Sequence, residues 1–193
     1  MGIKSSLCVR KYRALVQLWP MKEIELTFLP KYLPRGVLLS PSKVVEDLYI
    51  PASAKHPILR IRRNGDKYEI TKKSPVSKKN ASEQYEKTIS LTKEEFTGLK
   101  KLAGKRVAKT RYYYKEDSAT FEVGIFREKL TGLILVDIEF DSREQMRRFK
   151  APPWLATNVT KETFLAGGML AGKSYKDIEK KLEVLGFKDI DGF

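Results

Sequence analysis

Pairs of polar residues, two positions apart within short alternating apolar stretches, constrain this chain most. In Lys22-Glu23-Ile24-Glu25-Leu26-Thr27-Phe28, the apolar Ile24, Leu26 and Phe28 alternate with Glu23, Glu25 and Thr27. Successive side chains of a β-strand point to opposite faces, so the segment has one apolar face and one face with two carboxylates. Taken alone, it reads as a half-exposed strand whose charges face water and discourage edge-to-edge association. The same pattern recurs along the chain. Arg60 and Arg62 flank Ile61, Thr71 and Lys73 share a face, and Gln84 and Glu86 flank Tyr85. Lys109 and Arg111 flank Thr110, Glu122 follows Phe121, and Asp137 and Glu139 flank Ile138. Two architectures fit rows of both signs opposite apolar rows. One is an open sheet with a wet charged face. The other is a closed barrel with a charged lumen and helices over its apolar outside. Acid rows facing Arg/Lys rows suit a polyanion held together with hard cations, which take oxygen ligands.

The order of these motifs resembles the CYTH, or triphosphate tunnel metalloenzyme, superfamily. Its hallmark E-x-E-x-K strand is met by Glu23, Glu25 and, at the lysine position, Thr27. Its R-x-R strand matches Arg60 and Arg62, and a lysine after the next turn matches Lys73. Its K-x-R strand matches Lys109, Arg111 and Tyr112, and its late acid pair matches Asp137 and Glu139. The closing P-x-W-L-x-x-x-V-T block matches Pro152 or Pro153, Trp154, Leu155, Val159 and Thr160. The resemblance runs from about Met21 to Ala171. Four positions depart from the pattern: Thr27, Gln84, Gly124 and Phe164 each stand where the family commonly carries a charge.

The resemblance implies an α+β, mainly antiparallel fold: a closed eight-stranded β-barrel with a charged lumen, flanked by several helices. It implies metal-dependent hydrolysis of tripolyphosphate or a small organic triphosphate. Arg60, Arg62, Lys73, Lys109 and Arg111 would grip phosphate. Glu23, Glu25, Glu122, Asp137 and Glu139, with Glu86 as a secondary candidate, would hold Mg²⁺ or Mn²⁺. Glu23, Glu25 and Lys73 would act in catalysis. Adenylate cyclase chemistry is a further option within the family, although no segment marks an adenine pocket. Two readings from other classes remain open: a non-catalytic polyphosphate- or nucleotide-binding module, and a basic nucleic-acid-binding protein. The last is disfavoured because the strand cations alternate with apolar residues and face acids of the same site. The run Tyr112-Tyr113-Tyr114 fits packing under a helix better than base stacking.

The formal charge of +14 points to an anionic partner. With one cysteine (Cys8) and one histidine (His56), the chain can form no intrachain disulfide and offers no His-based metal or Ser–His–Asp site. Residues 1–20 are basic and acid-free and are expected to be a loosely ordered extension; residues 21–193 are expected to form one domain. The location is expected to be cytoplasmic, without a membrane span, and a homodimer is allowed. Several local expectations follow. A hairpin should centre on Asn64-Gly65, and Lys72–Ser82 should be a basic loop. A helix with a Thr92/Glu95 capping box should end near Gly104. A helix should open at Asp141, Thr160–Ala166 should form a capped helix, and a last helix should start near Ser174. Gly167–Ser174 matches G-x-x-x-x-G-K-[ST], but no buried strand precedes it and only 19 residues follow Ser174. It is read as a helix break rather than a phosphate-binding loop.

Overall fold

The computed structural model describes residues 21–77, 80–188 and 190. The extension expected over residues 1–20 lies outside them. Nine strands form in chain order: β1 (Met21–Pro30), β2 (Ser42–Ile50), β3 (Leu59–Asn64), β4 (Lys67–Ser77) and β5 (Asn80–Leu91), then β6 (Lys105–Glu116), β7 (Ala119–Phe126), β8 (Ile134–Glu139) and β9 (Leu155–Asn158). Their order is β5-β4-β3-β2-β6-β7-β8-β1-β9, and β5 also pairs with β1. That last pairing closes eight antiparallel strands into a barrel. β9 is an extra strand: it runs along Phe28–Pro30 of β1, beyond Met21–Ile24, where β5 is bonded.

Closure sorts the side chains, because a barrel strand alternates between inside and outside. The outward apolar rows meet short helices and loops. Ile24, Phe28, Phe121, Val123, Val136 and Ile138 pack with Phe140, Trp154 and Leu155. Over this cluster lies α2 (Arg143–Arg148); α1 is Lys93–Leu99. Ser142 caps α2 by accepting from Gln145 N–H, and Arg143 clamps the buried Glu83 of β5 with two hydrogen bonds. Phe149, just past α2, meets the rings of Phe28, Phe121 and Phe140. Trp154 packs edge-on against Phe121 and Tyr114, and its indole N–H donates to Glu116 at 2.6 Å. The Thr92/Glu95 capping box forms as expected, and α1 seats Phe96 on Leu48 and Ile61. A third cluster gathers Phe126, Leu135 and Val107 with Leu165, Leu170, Ile178 and Leu182 of the C-terminal segment. The three barrel residues also line the lumen, so this segment fills one end of the barrel with apolar side chains.

Several local expectations are corrected. The β3–β4 turn has Asn64 opposite Lys67, so Gly65-Asp66 is its centre; among the described turn residues only Gly65 takes a positive φ, of 61°. Lys72–Ser82 is largely a hairpin, because β4 continues to Ser77 and β5 begins at Asn80. α1 stops at Leu99, and Gly104 has another use. A Cβ there would lie 2.6 Å from the Leu48 side chain and 2.7 Å from Tyr49 O, so glycine lets the chain cross β2. Thr160–Ala166 holds only a 3₁₀ turn, Thr163–Leu165. The last helix is split into a 3₁₀ turn, Tyr175–Asp177, and a short helix, Glu179–Val184.

The Gly167–Ser174 segment is built for close packing. The helix following the 3₁₀ turn is only Gly167–Leu170. A Cβ on Gly167 would sit 2.2 Å from the Tyr49 hydroxyl, and one on Gly168 would sit 2.2 Å from Pro57 O. The two glycines therefore let this segment dock on β2 and the β2–β3 connection. Among the described residues, no helix is long and apolar enough to cross a membrane.

Candidate functional site

One face of each barrel strand builds the lumen. β1 brings Glu23, Glu25 and Thr27, β2 brings Asp47 and Tyr49, β3 brings Arg60 and Arg62, and β4 brings Glu69 and Lys73. β5 adds Glu86, β6 adds Lys109 and Arg111, β7 adds Glu122, and β8 adds Asp137 and Glu139. The cavity they enclose is about 540 Å³. All eleven charged residues singled out in the sequence face it.

Register decides which charges meet. Glu25 stands directly opposite Glu139 and Thr27 opposite Asp137, while Asp137 also neighbours Glu122 across β7. The barrel therefore has an acidic wall. The facing cations reach toward it. Lys73 contacts Glu23 and lies 3.2 Å from Glu86. Lys109 Nζ is 3.6 Å from Asp137, and Arg111 pairs with Glu122 at 2.5 Å. Arg62 donates twice to Asp47, at 2.7 and 2.8 Å. Arg60 contacts the Tyr49 hydroxyl at 3.4 Å and Asp47 at 4.0 Å.

These contacts set the protonation states. Burial opposes ionisation of Asp47, yet Arg62 and Arg60 hold its carboxyl down at about 2. Burial raises Glu25 to about 7, against the attraction of Lys73; Asp137, Glu23 and Glu139 push it further up. Glu139 is raised by burial and by Glu122 and Glu23. Burial and the neighbouring Arg111 lower Lys109 to about 8. Lys73 goes the other way: burial works against its charge, but Glu25 and Glu23 hold its proton firmly. Among the described residues, no basic side chain lies within ion-pair distance of Glu25 or Glu139. Two buried guanidinium nitrogens, Arg60 Nε and Arg111 Nε, have no hydrogen-bond acceptor among the described residues.

No family model matches the chain. An inorganic triphosphatase of Nitrosomonas europaea is 34% identical over 143 residues, covering 74% of this chain and 91% of that protein. The crystal structure of the inorganic triphosphatase NE1496 has a TM-score of 0.57 at 30% identity, over 78% of this chain and 95% of that one. The crystal structure of the hypothetical protein NE1496 gives the same TM-score of 0.57, at 31% identity, over 79% of this chain and 99% of that one. The chain belongs to the CYTH superfamily. Its eight-stranded closure and two-signed lumen are those that the superfamily resemblance implied.

Three features escaped the sequence reading. Asp47 and Tyr49 are not among the expected site residues, although they stand two apart on β2 as the other site pairs do on their strands. His56, set aside above as a metal or triad residue, is exposed and also lines the cavity. Thr160 does more than close a motif. Its hydroxyl accepts from Thr27 N–H at 3.0 Å, fixing the segment after β9 against the hallmark strand.

Proposed function

We propose that this CYTH protein hydrolyses a small triphosphate, tripolyphosphate or an organic triphosphate, held along the barrel lumen with a divalent cation. The observation that carries this reading is the unmet hydrogen-bonding capacity of Arg60 and Arg111 inside a cavity lined by five strand cations. A buried donor without an acceptor costs about 1–3 kcal/mol, and phosphate oxygens suit the planar guanidinium fork. Arg60, Arg62, Lys73, Lys109 and Arg111 would grip the chain of phosphates. Each phosphate group that binds displaces a carboxylate from its cation, so Glu23, Glu86, Asp137 and Glu122 are released as the substrate enters.

The lining fits a hard divalent cation in its donor type. Glu25 and Glu139 supply oxygen atoms opposite each other, and each is pushed toward its protonated form by burial first and then by neighbouring acids. Among the described residues the acids are not pre-gathered around one point, because Lys73, Lys109 and Arg111 draw several of them away. Glu23, Glu25, Glu122, Asp137 and Glu139, with Glu86, would hold Mg²⁺ or Mn²⁺. Bound there, the cation would offset charge developing on the phosphates and favour attack by water. Lys73 keeps its proton and serves as a fixed positive charge beside Glu23. Lys109 Nζ, at about 8, is the lumen ammonium that can give up a proton near neutral pH.

The test is phosphate release from tripolyphosphate, thiamine triphosphate and ATP with Mg²⁺ or Mn²⁺, alongside Glu25→Gln. Release that needs both the metal and Glu25 supports the reading, and the best substrate fixes the class. A second reading is a binding module without turnover. It is favoured by the carboxylate already paired with Arg62 in the bidentate Asp47 contact. Tripolyphosphate binding with no phosphate release under any metal would establish it.

A further inference from the structure

The charge that makes this protein basic lies outside its tunnel. Six basic and nine acidic side chains line the lumen, a formal charge of −3. With +14 on the whole chain, the rest carries +17. The substrate reading therefore does not account for the excess.

Part of that charge stands on a sheet face that, among the described residues, is left uncovered. α1 packs Phe96 against Tyr68, Ile70 and Leu91, and so covers only one end of the outer β4–β5 face. Beyond it, Lys72 and Lys87 are register partners on that outer face. Both are exposed, and among the described residues neither has a carboxylate within ion-pair distance. Like charges placed directly opposite each other repel, so nothing in the barrel itself favours this pairing. Two residues either side of Lys87, at a rise of about 7 Å along the strand, lie Tyr85 and Ile89 on the same face. They are 40% and 67% exposed.

We propose that the outer β4–β5 face binds single-stranded nucleic acid, with Lys72 and Lys87 on successive phosphates and Tyr85 as a stacking platform for a base. A cationic track with an interleaved exposed aromatic is the chemistry of sequence-tolerant single-strand binding. An anionic vesicle surface would call for a denser cluster, of about 4–8 basic residues, than this lysine pair. The proposal does not rest on the tunnel's activity, since Lys72, Lys87 and Tyr85 face away from it.

The experiment measures anisotropy of a fluorescent oligouridine with the full chain over a salt series. Binding should be retained at saturating tripolyphosphate. A Lys72→Gln/Lys87→Gln variant should bind about tenfold more weakly, and its log–log salt slope should fall by about 1.4, at about 0.7 per single-strand phosphate contact. Tyr85→Ala should weaken binding about tenfold with the slope unchanged. Thermal melting of both variants should match the parent. Three results would overturn the proposal: displacement of the oligouridine by equimolar tripolyphosphate, unchanged affinity in the double lysine variant, or lysine-dependent binding to phosphatidylserine vesicles without oligouridine binding.

Discussion

Asp47 is the residue whose removal says most about how the lumen is held together. Its carboxylate is 7% exposed as a residue, accepts two hydrogen bonds from Arg62 and lies 4.0 Å from Arg60. Folding lowers its pKa from 3.8 to about 2. At about 1.36 kcal/mol per unit, that gap is worth about 2.4 kcal/mol. Because the folded value is depressed, the stabilisation is fully present above 3.8 and is lost as pH falls toward about 2. Asp47→Asn keeps the shape but leaves two buried guanidinium groups without a counter-charge; breaking a buried pair in this way costs about 3–5 kcal/mol. An amide oxygen can still accept one Arg62 hydrogen bond, so the expected loss is about 2–3 kcal/mol. The assay is urea unfolding of parent and variant from neutral pH down to about 2. The difference between them should hold above 3.8 and shrink between there and about 2. Tripolyphosphate should stabilise the variant more than the parent, since phosphate oxygens replace the missing carboxylate. A difference that stays constant with pH, or equal stabilisation of both proteins by tripolyphosphate, would refute the pairing argument.

Other sites give independent checks. Glu25 is raised from 4.5 to about 7, so its ionisation destabilises the metal-free fold as pH rises through that interval, by about 3 kcal/mol. Glu25→Gln should therefore unfold at higher urea than the parent above that interval and at similar urea below it; a less stable variant at high pH would contradict the buried acid wall. Gly168→Ala should cost about 1–3 kcal/mol in thermal or urea unfolding, because its Cβ would lie 2.2 Å from Pro57 O. By contrast, Lys173→Ala should leave tripolyphosphate hydrolysis intact, since that segment is a packing element. Thr92→Ala should cost about 1 kcal/mol in the same unfolding measurement, through loss of the hydrogen bond its hydroxyl accepts from Glu95 N–H.

Much of the barrel could be read from period-two alternation, because a lumen-facing charge and an outward apolar residue leave the same mark on every strand. Closure itself left no such mark. It depends on Met21–Ile24 of β1 bonding to β5 while Phe28–Pro30 bonds to β9, a division of one strand edge that no single segment encodes. Local chemistry was most readable where it is self-contained: the Thr92/Glu95 box works within four residues. It was least readable where glycine serves a distant neighbour. Gly104, Gly167 and Gly168 suggested helix ends or breaks, yet each is required by β2 or the β2–β3 connection passing close by. Asp47 carries no paired-charge mark, because its i,i+2 neighbours Val45 and Tyr49 are uncharged and the adjacent acid, Glu46, lies on the opposite face. Its meaning appears only when Arg62, on the next strand, is set beside it by register.

The departures at Thr27 and Gly124 also change meaning once register is known. Read singly, one removes a cation and the other an anion from the family pattern. In the barrel they act on one carboxylate. The Thr27 hydroxyl donates to Asp137 at 2.9 Å, and Lys109 approaches the same carboxylate at 3.6 Å. Lys109 can lie there because Gly124 has no side chain: a Cβ would come 2.8 Å from Lys109 Cδ and 3.1 Å from its Nζ. Lys109 thus supplies to Asp137 the charge that a lysine at position 27 would bring, and the glycine makes the room. Two linked losses leave the local charge balance unchanged. Thr27→Lys alone should crowd Lys109 with a second ammonium, and Gly124→Asp alone should displace Lys109 from Asp137. The double variant should let the new lysine hold Asp137 and the new aspartate hold Lys109. In urea unfolding the two single variants should each lose stability. The double should recover about 0.5–3 kcal/mol relative to their sum, the range seen for residues sharing one ionic network. Strict additivity would show that the two positions are energetically independent and that Lys109 does not stand in for the missing lysine.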